Sequence, residues 1–232
     1  MRPRGKQKPD HITLGYDASQ NKSLRHSPGL MKTVLIIAVL VILAGIAFYY
    51  IFIGNIDRSE PEIIKLDKPI QIIGLGINTT DKDISGDVSK VANEFNNIVN
   101  RSPIPNKKEP WARLNVSKDY NQKTGTFKYI IGDVVTSTES IPDGLQAYEI
   151  PALTFAVFRI KPKSKIAWAI TMGRMKRFIY TEWLPRSGHE ASDIIGDFEL
   201  HDDRSLGKNP EIELFVALKD SISQQDTYIR KE

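Results

Sequence analysis

Three rhythms of apolar residues run along this chain. The first is unbroken: Thr33 to Ile53 holds 21 residues without a charge. The second steps by three and four. Ile84, Val88, Val91, Ala92, Phe95, Ile98 and Val99 recur in this way within 83–99, which predicts an amphipathic helix stopped by Ser102, Pro103 and Pro105. Residues 165–184 read as a second, longer helix, closed by Pro185 and Gly188. The third rhythm is the short apolar or alternating run of a strand. It occurs at 69–77, 111–117 and 126–135, and again at 151–160, 195–202 and 211–219.

The order strand, helix, strand, strand therefore occurs twice. The runs 69–76 and 151–158 align at an offset of 82, and 125–132 aligns with 210–217 at 85. Two matches at nearly one offset predict an α+β domain of duplicated β-α-β-β units, with an antiparallel sheet and two helices around a central cleft. Each unit alone would expose an apolar sheet face, and joining them covers it.

Alternation along the strands separates two faces. Ile212, Leu214, Val216 and Leu218 form an aliphatic face that predicts contact with a helix. Glu211, Glu213, Phe215 and Ala217 lie opposite. Ile73, Leu75 and Ile77 share a face, with Gly74 and Gly76 behind them. In the second unit Phe155 and Val157 oppose Thr154, Ala156 and Phe158. The mixed face of small residues, aromatics and an acid predicts a cavity that favours a cation. The alternative is that the glycines only admit a neighbouring backbone and that Glu213 sits in water. The same two readings apply to Glu182 and Trp183 at the end of the second helix.

The uncharged run is about 30 Å long as a helix, the thickness of a bilayer core. Tyr49 and Tyr50 stand near its far end, where aromatic residues favour the interface. Two readings fit, an uncleaved anchor and a signal peptide cut after Gly45-x-Ala47, and the apolar continuation "FYYIFI" favours the anchor. Met31 also fits as a translation start. Seven basic residues precede the run within 1–32, so the positive-inside rule predicts a cytoplasmic N-terminus and a C-terminal domain outside the cytoplasm.

Charge sharpens this division. The chain carries a formal +4, but residues 1–32 hold seven Lys/Arg against two Asp, a net of +5. The other 200 residues therefore sum to −1. The basic character belongs to a tail of disordered composition, and no nucleic-acid partner is expected for the domain. There is no cysteine, and His11, His26, His189 and His201 form no close pair, so neither a metal site nor a cofactor is predicted. Gly74-Leu75-Gly76 lacks the third glycine of a dinucleotide fingerprint.

Four segments, "YEIPALTFAVF", "IYTEWLPRSGHE", "GDFELHDDRS" and "NPEIELFVALK", occur in an order that resembles the gyrase-inhibitor-like (GyrI-like) small-molecule-binding domain. This is also the effector-binding domain of many AraC- and MerR-type bacterial regulators. The resemblance implies a cleft for amphipathic, aromatic or cationic compounds with a buried glutamate and aromatic walls. Carried onto this chain, it implies Glu213 as the acid, Glu182 and Trp183 as the helix-end pair, and Phe155, Phe158, Tyr180 and Phe215 as walls, with Trp111 added from the first half. Ala217 and His189 depart from the family's usual proline and aromatic residue. The regulators' DNA-binding module is replaced here by the apolar run.

The expected organisation is a basic tail over 1–30, a transmembrane helix over 31–54, a linker over 55–62, the effector-binding domain over 63–219 and a tail over 220–232. The expected function is non-covalent binding of a hydrophobic, cationic or aromatic small molecule by a membrane-anchored domain. Two other readings stand beside it. One is a hydrolase of strained electrophiles with Glu213 as general acid or base. The other is a ligand-free interaction domain of the cell envelope.

Overall fold

The computed structural model describes residues 28–164 and 167–219. The expected disordered tail over 1–30 lies outside these residues up to 27, while 28–30 already belong to a helix, and the expected C-terminal tail over 220–232 lies outside them. The chain divides into two units, 1–45 and 46–232. Helix α1, Pro28–Phe48, continues as a π-helical turn over Tyr49–Ile53. From Gly29 to Ile53 it is long and apolar enough to cross a membrane, and none of its apolar side chains is buried in protein.

The second unit has eight strands: β1 Glu62–Lys65, β2 Ile70–Thr80, β3 Arg113–Asn121, β4 Thr126–Val134, β5 Gln146–Ile150, β6 Thr154–Ile160, β7 Asp197–His201 and β8 Ile212–Leu218. They form one antiparallel sheet in the order β1-β6-β8-β7-β3-β4-β2-β5. Helix α2, Ile84–Arg101, follows β2, and α3, Trp168–Phe178, follows β6. The duplicated β-α-β-β order is therefore present as β2-α2-β3-β4 and β6-α3-β7-β8.

Strands β1 and β5 were not legible in the alternation. Each leads one half yet pairs with the other half's first strand, β1 with β6 and β5 with β2. Only 151–153 separates β5 from β6, and only 66–69 separates β1 from β2. Both pairs stand six places apart in the sheet, about 29 Å if it were flat. Three or four residues reach about half that distance. The sheet therefore curls until its two ends meet, and Leu66 N–H donates to Leu153 O at 3.0 Å across the seam.

Curling creates two kinds of core. Ile72, Leu114, Val116, Ile130, Phe155, Phe198 and Phe215 fill the concave side without help from any helix. The convex side carries both helices. Val91 and Phe95 of α2 pack with Ile73, Tyr129 and Ile131. Met172, Met175 and Phe178 of α3 pack with Phe158, Ile212, Leu214 and Val216, the aliphatic face expected to meet a helix.

Two sequence expectations change. The offset of 82 matches Ile73 with Phe155, but these residues lie on opposite faces, in the helix-facing and concave cores. A slip of one residue inverts every side chain of a strand. The offset of 85 preserves faces, since Tyr129 and Leu214 both face helices. Gly74 and Gly76 leave no free volume. A Cβ on Gly74 would collide with Ile131 O, and one on Gly76 would stand 2.6 Å from Tyr148 Oη. The glycines admit a paired strand and an aromatic ring.

The second expected helix is present as one helical run over 168–187, in three segments. Residues 165 and 166 lie outside the description, and α3 passes at Ile179–Trp183 into a π-helical turn. Helix α4, Leu184–Ser187, follows, and Gly188 closes it with φ 75°. The wide turn rotates Trp183 into the α3 core, where it is only 5% exposed.

Candidate functional site

The sheet's central pair, β7 and β3, lies between the strands that carry the helices, α2 above β2 and β4 and α3 above β6. On the helix-facing side β7 presents Asp197, Glu199 and His201, while Phe198 lies in the concave core. Directly opposite on β3 stand Ser117, Asn115 and Arg113. The middle of the sheet thus carries a polar stripe, continued on β4 by the fully buried Asp133, which pairs with Arg113 at 2.7 Å and Lys107 at 2.8 Å. Asp197 is 4% exposed and Glu199 8%.

Two buried carboxylates need partners, because desolvation of an unpaired charge is expensive. Lys176 of α3 supplies one cation to both, with Nζ 2.8 Å from Asp197 Oδ1 and 3.7 Å from Glu199 Oε1. Tyr180, in the π-helical turn, donates its hydroxyl to Asp197 Oδ2 at 2.9 Å. Asn115 Nδ2 donates to Glu199 Oε2 at 3.3 Å, and His201 Nε2 lies 3.2 Å from the same oxygen. Trp168 of α3 stacks on His201 at 5.5 Å between ring centres. The Oδ1 of Asn115 is buried and has no hydrogen-bond partner among the described residues.

The contacts set the protonation states. Burial works against the charge of Glu199, but His201, Lys176 and Asn115 outweigh it and hold the carboxyl below its ordinary value. Burial also opposes the charge of Lys176, and Asp197 with Glu199 overcomes this, raising its value. Tyr180 is pushed well above the usual phenol range by burial, by the charge of Asp197 and by their hydrogen bond. Tyr129 on β4 is raised as well, mainly by burial and then by Glu199 and Asp197. When His201 is neutral, two acids and one lysine leave one negative charge unmatched beside Tyr180 and Trp168. Such a floor favours a cation.

The residues singled out in the sequence are distributed over several places. Tyr180 alone among them touches the central acids. Phe155 and Phe215 meet in the concave core, where Phe198 stacks on Phe215 at 4.4 Å, and all three are buried. Phe158 lies on the other face, edge-on to Trp183 at 5.1 Å. Glu213 projects on the side of Phe215, away from the helices. It is held by Arg204 at 3.0 Å and faces Arg159 at 4.0 Å. Trp111 lies beside Arg113, whose guanidinium is 5.6 Å from its ring centre.

Glu182 and Trp183 border a separate hollow of about 470 Å³, lined also by Arg58, Glu60, Phe178, Arg186 and Ser187. The segment expected as a free linker forms its rim. Gly54 O accepts from Arg174 at 2.8 Å, Arg58 donates to Glu182 at 2.9 Å, and Glu60 accepts from Trp183 Nε1 at 2.8 Å.

Sequence reasoning missed Asp197, Glu199, Lys176 and Asn115. The signal for the two acids was the alternation in "GDFELHD", acid-aromatic-acid-apolar-histidine. It marks a site only once β7 is known to be buried on both faces. The adjacent His201-Asp202-Asp203 is divided: His201 joins the stripe, while Asp202 caps helix α5, Asp203–Leu206, by accepting from Arg204 N–H at 2.9 Å.

A sequence profile of the family described as integron-associated effector binding protein (Cass2) matches residues 62–218. No curated protein matches the chain. Among solved structures the fold is similar to an integron cassette protein from the mobile metagenome of Vibrio cholerae. That pair has 13% identity and a TM-score of 0.51 over 71% of this chain and 99% of that one. The C-terminal domain of EcmrR gives 11% identity and 0.52, over 71% of this chain and all of that one. The protein SAV2435, in a structure bound to tetraphenylphosphonium, gives 13% and 0.50 over 69% and 94%. At these identities the likeness is one of fold.

Proposed function

Because the chain belongs to the integron-associated effector-binding protein family, of GyrI-like fold, we propose that it binds a hydrophobic small molecule carrying a positive charge, above β7 and β3 between α2 and α3. The observation that carries this reading is the buried pair Asp197 and Glu199 at the centre of the sheet, with Tyr180 and Trp168 beside them. Tetraphenylphosphonium, the lipophilic cation in the SAV2435 structure, is of the same chemical class and supports the choice. In this reading Glu199 takes the role first expected of Glu213, and Tyr180 remains a wall. Phe155 and Phe215 support the floor from the concave side.

The reading includes an anchored domain. The apolar helix over Gly29–Ile53 fits a bilayer, and the seven basic residues before it favour a cytoplasmic N-terminus. The domain would then meet its ligand outside the cytoplasm. In the hydrolytic reading an ionised Glu199 would serve as general base and not as general acid.

Calorimetric titration of the full chain in detergent with tetraphenylphosphonium tests the site. Glu199→Gln is expected to weaken binding at least tenfold, and Glu213→Gln to leave it unchanged. The opposite ranking would move the site to the other face of β8, and equal affinities for all three proteins would remove the charge from the account.

A further inference from the structure

The cation position beside Glu199 already has an occupant. Lys176 approaches both carboxylates from α3, and among the described residues its ammonium has no other ionic partner. Its side chain is 27% exposed, so it stands at the border between the acids and water. A lysine at such a border can swing its ammonium into solvent while its alkyl stem stays on the protein. The acids cannot follow, being fixed on a central strand.

We infer that Lys176 is a tethered stand-in for the ligand's charge and that a cationic ligand binds by displacing it. This rests on the binding reading given above. One positive charge leaves the floor and another enters, so the charge balance of the site is kept. A neutral molecule of equal shape would either leave the lysine in place or strand two buried carboxylates. Lys176 thus acts as a specificity-determining residue: it sets a threshold that only a charged competitor crosses. It also favours a single positive charge over two, because removal of one lysine uncovers one cation position. The position of Lys176 three residues before the start of the π-helical turn places its displacement next to Tyr180, which is bonded to the same Asp197.

Two measurements on the full chain in detergent test this, with tetraphenylphosphonium as the probe. Lys176→Met removes the competitor and keeps the alkyl stem. It is expected to bind the probe at least tenfold more tightly than wild type. The second measurement needs no variant: acetylation of lysines followed by mass spectrometry, with and without saturating probe. Lys176 is expected to become at least fivefold more reactive with the probe, while exposed Lys161 stays constant. If Lys176→Met fails to fold, the acetylation result decides. Probe binding that requires Glu199 but leaves Lys176 equally or less reactive, or that is no tighter in Lys176→Met, overturns the displacement and spares the binding site. Absence of probe binding in both wild type and Lys176→Met overturns both.

Discussion

Glu199 and Asn115 face each other directly across β7 and β3, with Asn115 Nδ2 donating to Glu199 Oε2 at 3.3 Å. These strands are the fourth and fifth of eight, the seam where the two halves join. The halves therefore differ at the place where duplication would make them equal: one contributes an acid and the other an amide. That asymmetry, together with Lys176 from the second helix alone, gives a pseudo-symmetric scaffold one oriented charged site.

The charge of Glu199 makes stability depend on pH. Its folded value lies below the ordinary 4.5, so its contacts stabilise the fold above that value and are lost as pH falls through the folded value. Lys176 behaves in the reverse way. Its value is raised above 10.5, so its contribution is present below 10.5 and is lost as pH rises through the raised value. Thermal unfolding is expected to show a difference between wild type and Glu199→Gln that shifts in favour of the variant as pH drops below 4.5. A difference independent of pH would contradict the assignment.

Tyr180→Phe removes only the hydroxyl that reaches Asp197, while Lys176 still pairs with that acid. The expected loss is about 1 kcal/mol, the ordinary net value of one such hydrogen bond. Chemical denaturation measures it. A loss of several kcal/mol would mean that Lys176 does not stay in place without the phenol.

The two strand glycines should respond unequally. Gly74→Ala drives a methyl into the backbone of β4, against Ile131 O and Gly132 Cα, which cannot move alone. Gly76→Ala meets the end of Tyr148 and the flexible stem of Lys128, which can. The first is expected to destabilise by about 3 kcal/mol and the second by about 1, within the usual span for overpacking. Equal effects on the denaturation midpoint would show that β4 yields as easily as a side chain.

Of the two side-chain contacts made by the segment after the apolar helix, one should matter more than the other. The Arg58–Glu182 pair is largely exposed and contributes little. Glu60 instead accepts from the indole N–H of a buried tryptophan. Arg58→Ala is expected to be nearly neutral, and Glu60→Ala to cost about 1–2 kcal/mol because it leaves that donor without its partner. Glu60→Gln should recover most of the loss, since its amide oxygen still accepts.

Much of the scaffold was legible because two periods differ. The 3.6-residue spacing of Val91, Phe95 and their neighbours marked α2, and the aliphatic face of β8 pointed correctly to a helix. Strands β1 and β5 were hidden because their identity comes from pairing across the halves; four or five residues such as Glu62–Lys65 have too little alternation of their own. The site was harder still. Phe215 and Glu213 share one side of β8, and the sequence alone made that side look like a cleft. Only the curl of the sheet turns it into a closed core bordered by an ion pair. Glu199 was not singled out because nothing local says that β7 stands at the centre.

The anchored topology has a direct check. The chain lacks cysteine, so Lys123→Cys in the exposed β3–β4 turn gives a single thiol. In intact bacterial cells it is expected to react with a membrane-impermeant maleimide. Labelling only after lysis would reverse the orientation.

The central claim concerns charge, and one comparison reaches it without reference to any other contact. Methyltriphenylphosphonium and triphenylphosphine oxide are close in shape, but only the first is a cation. Wild type is expected to bind the phosphonium at least tenfold more tightly, and Glu199→Gln to lose that preference. Equal affinity of wild type for the two compounds, or a preference that survives in Glu199→Gln, would contradict the account.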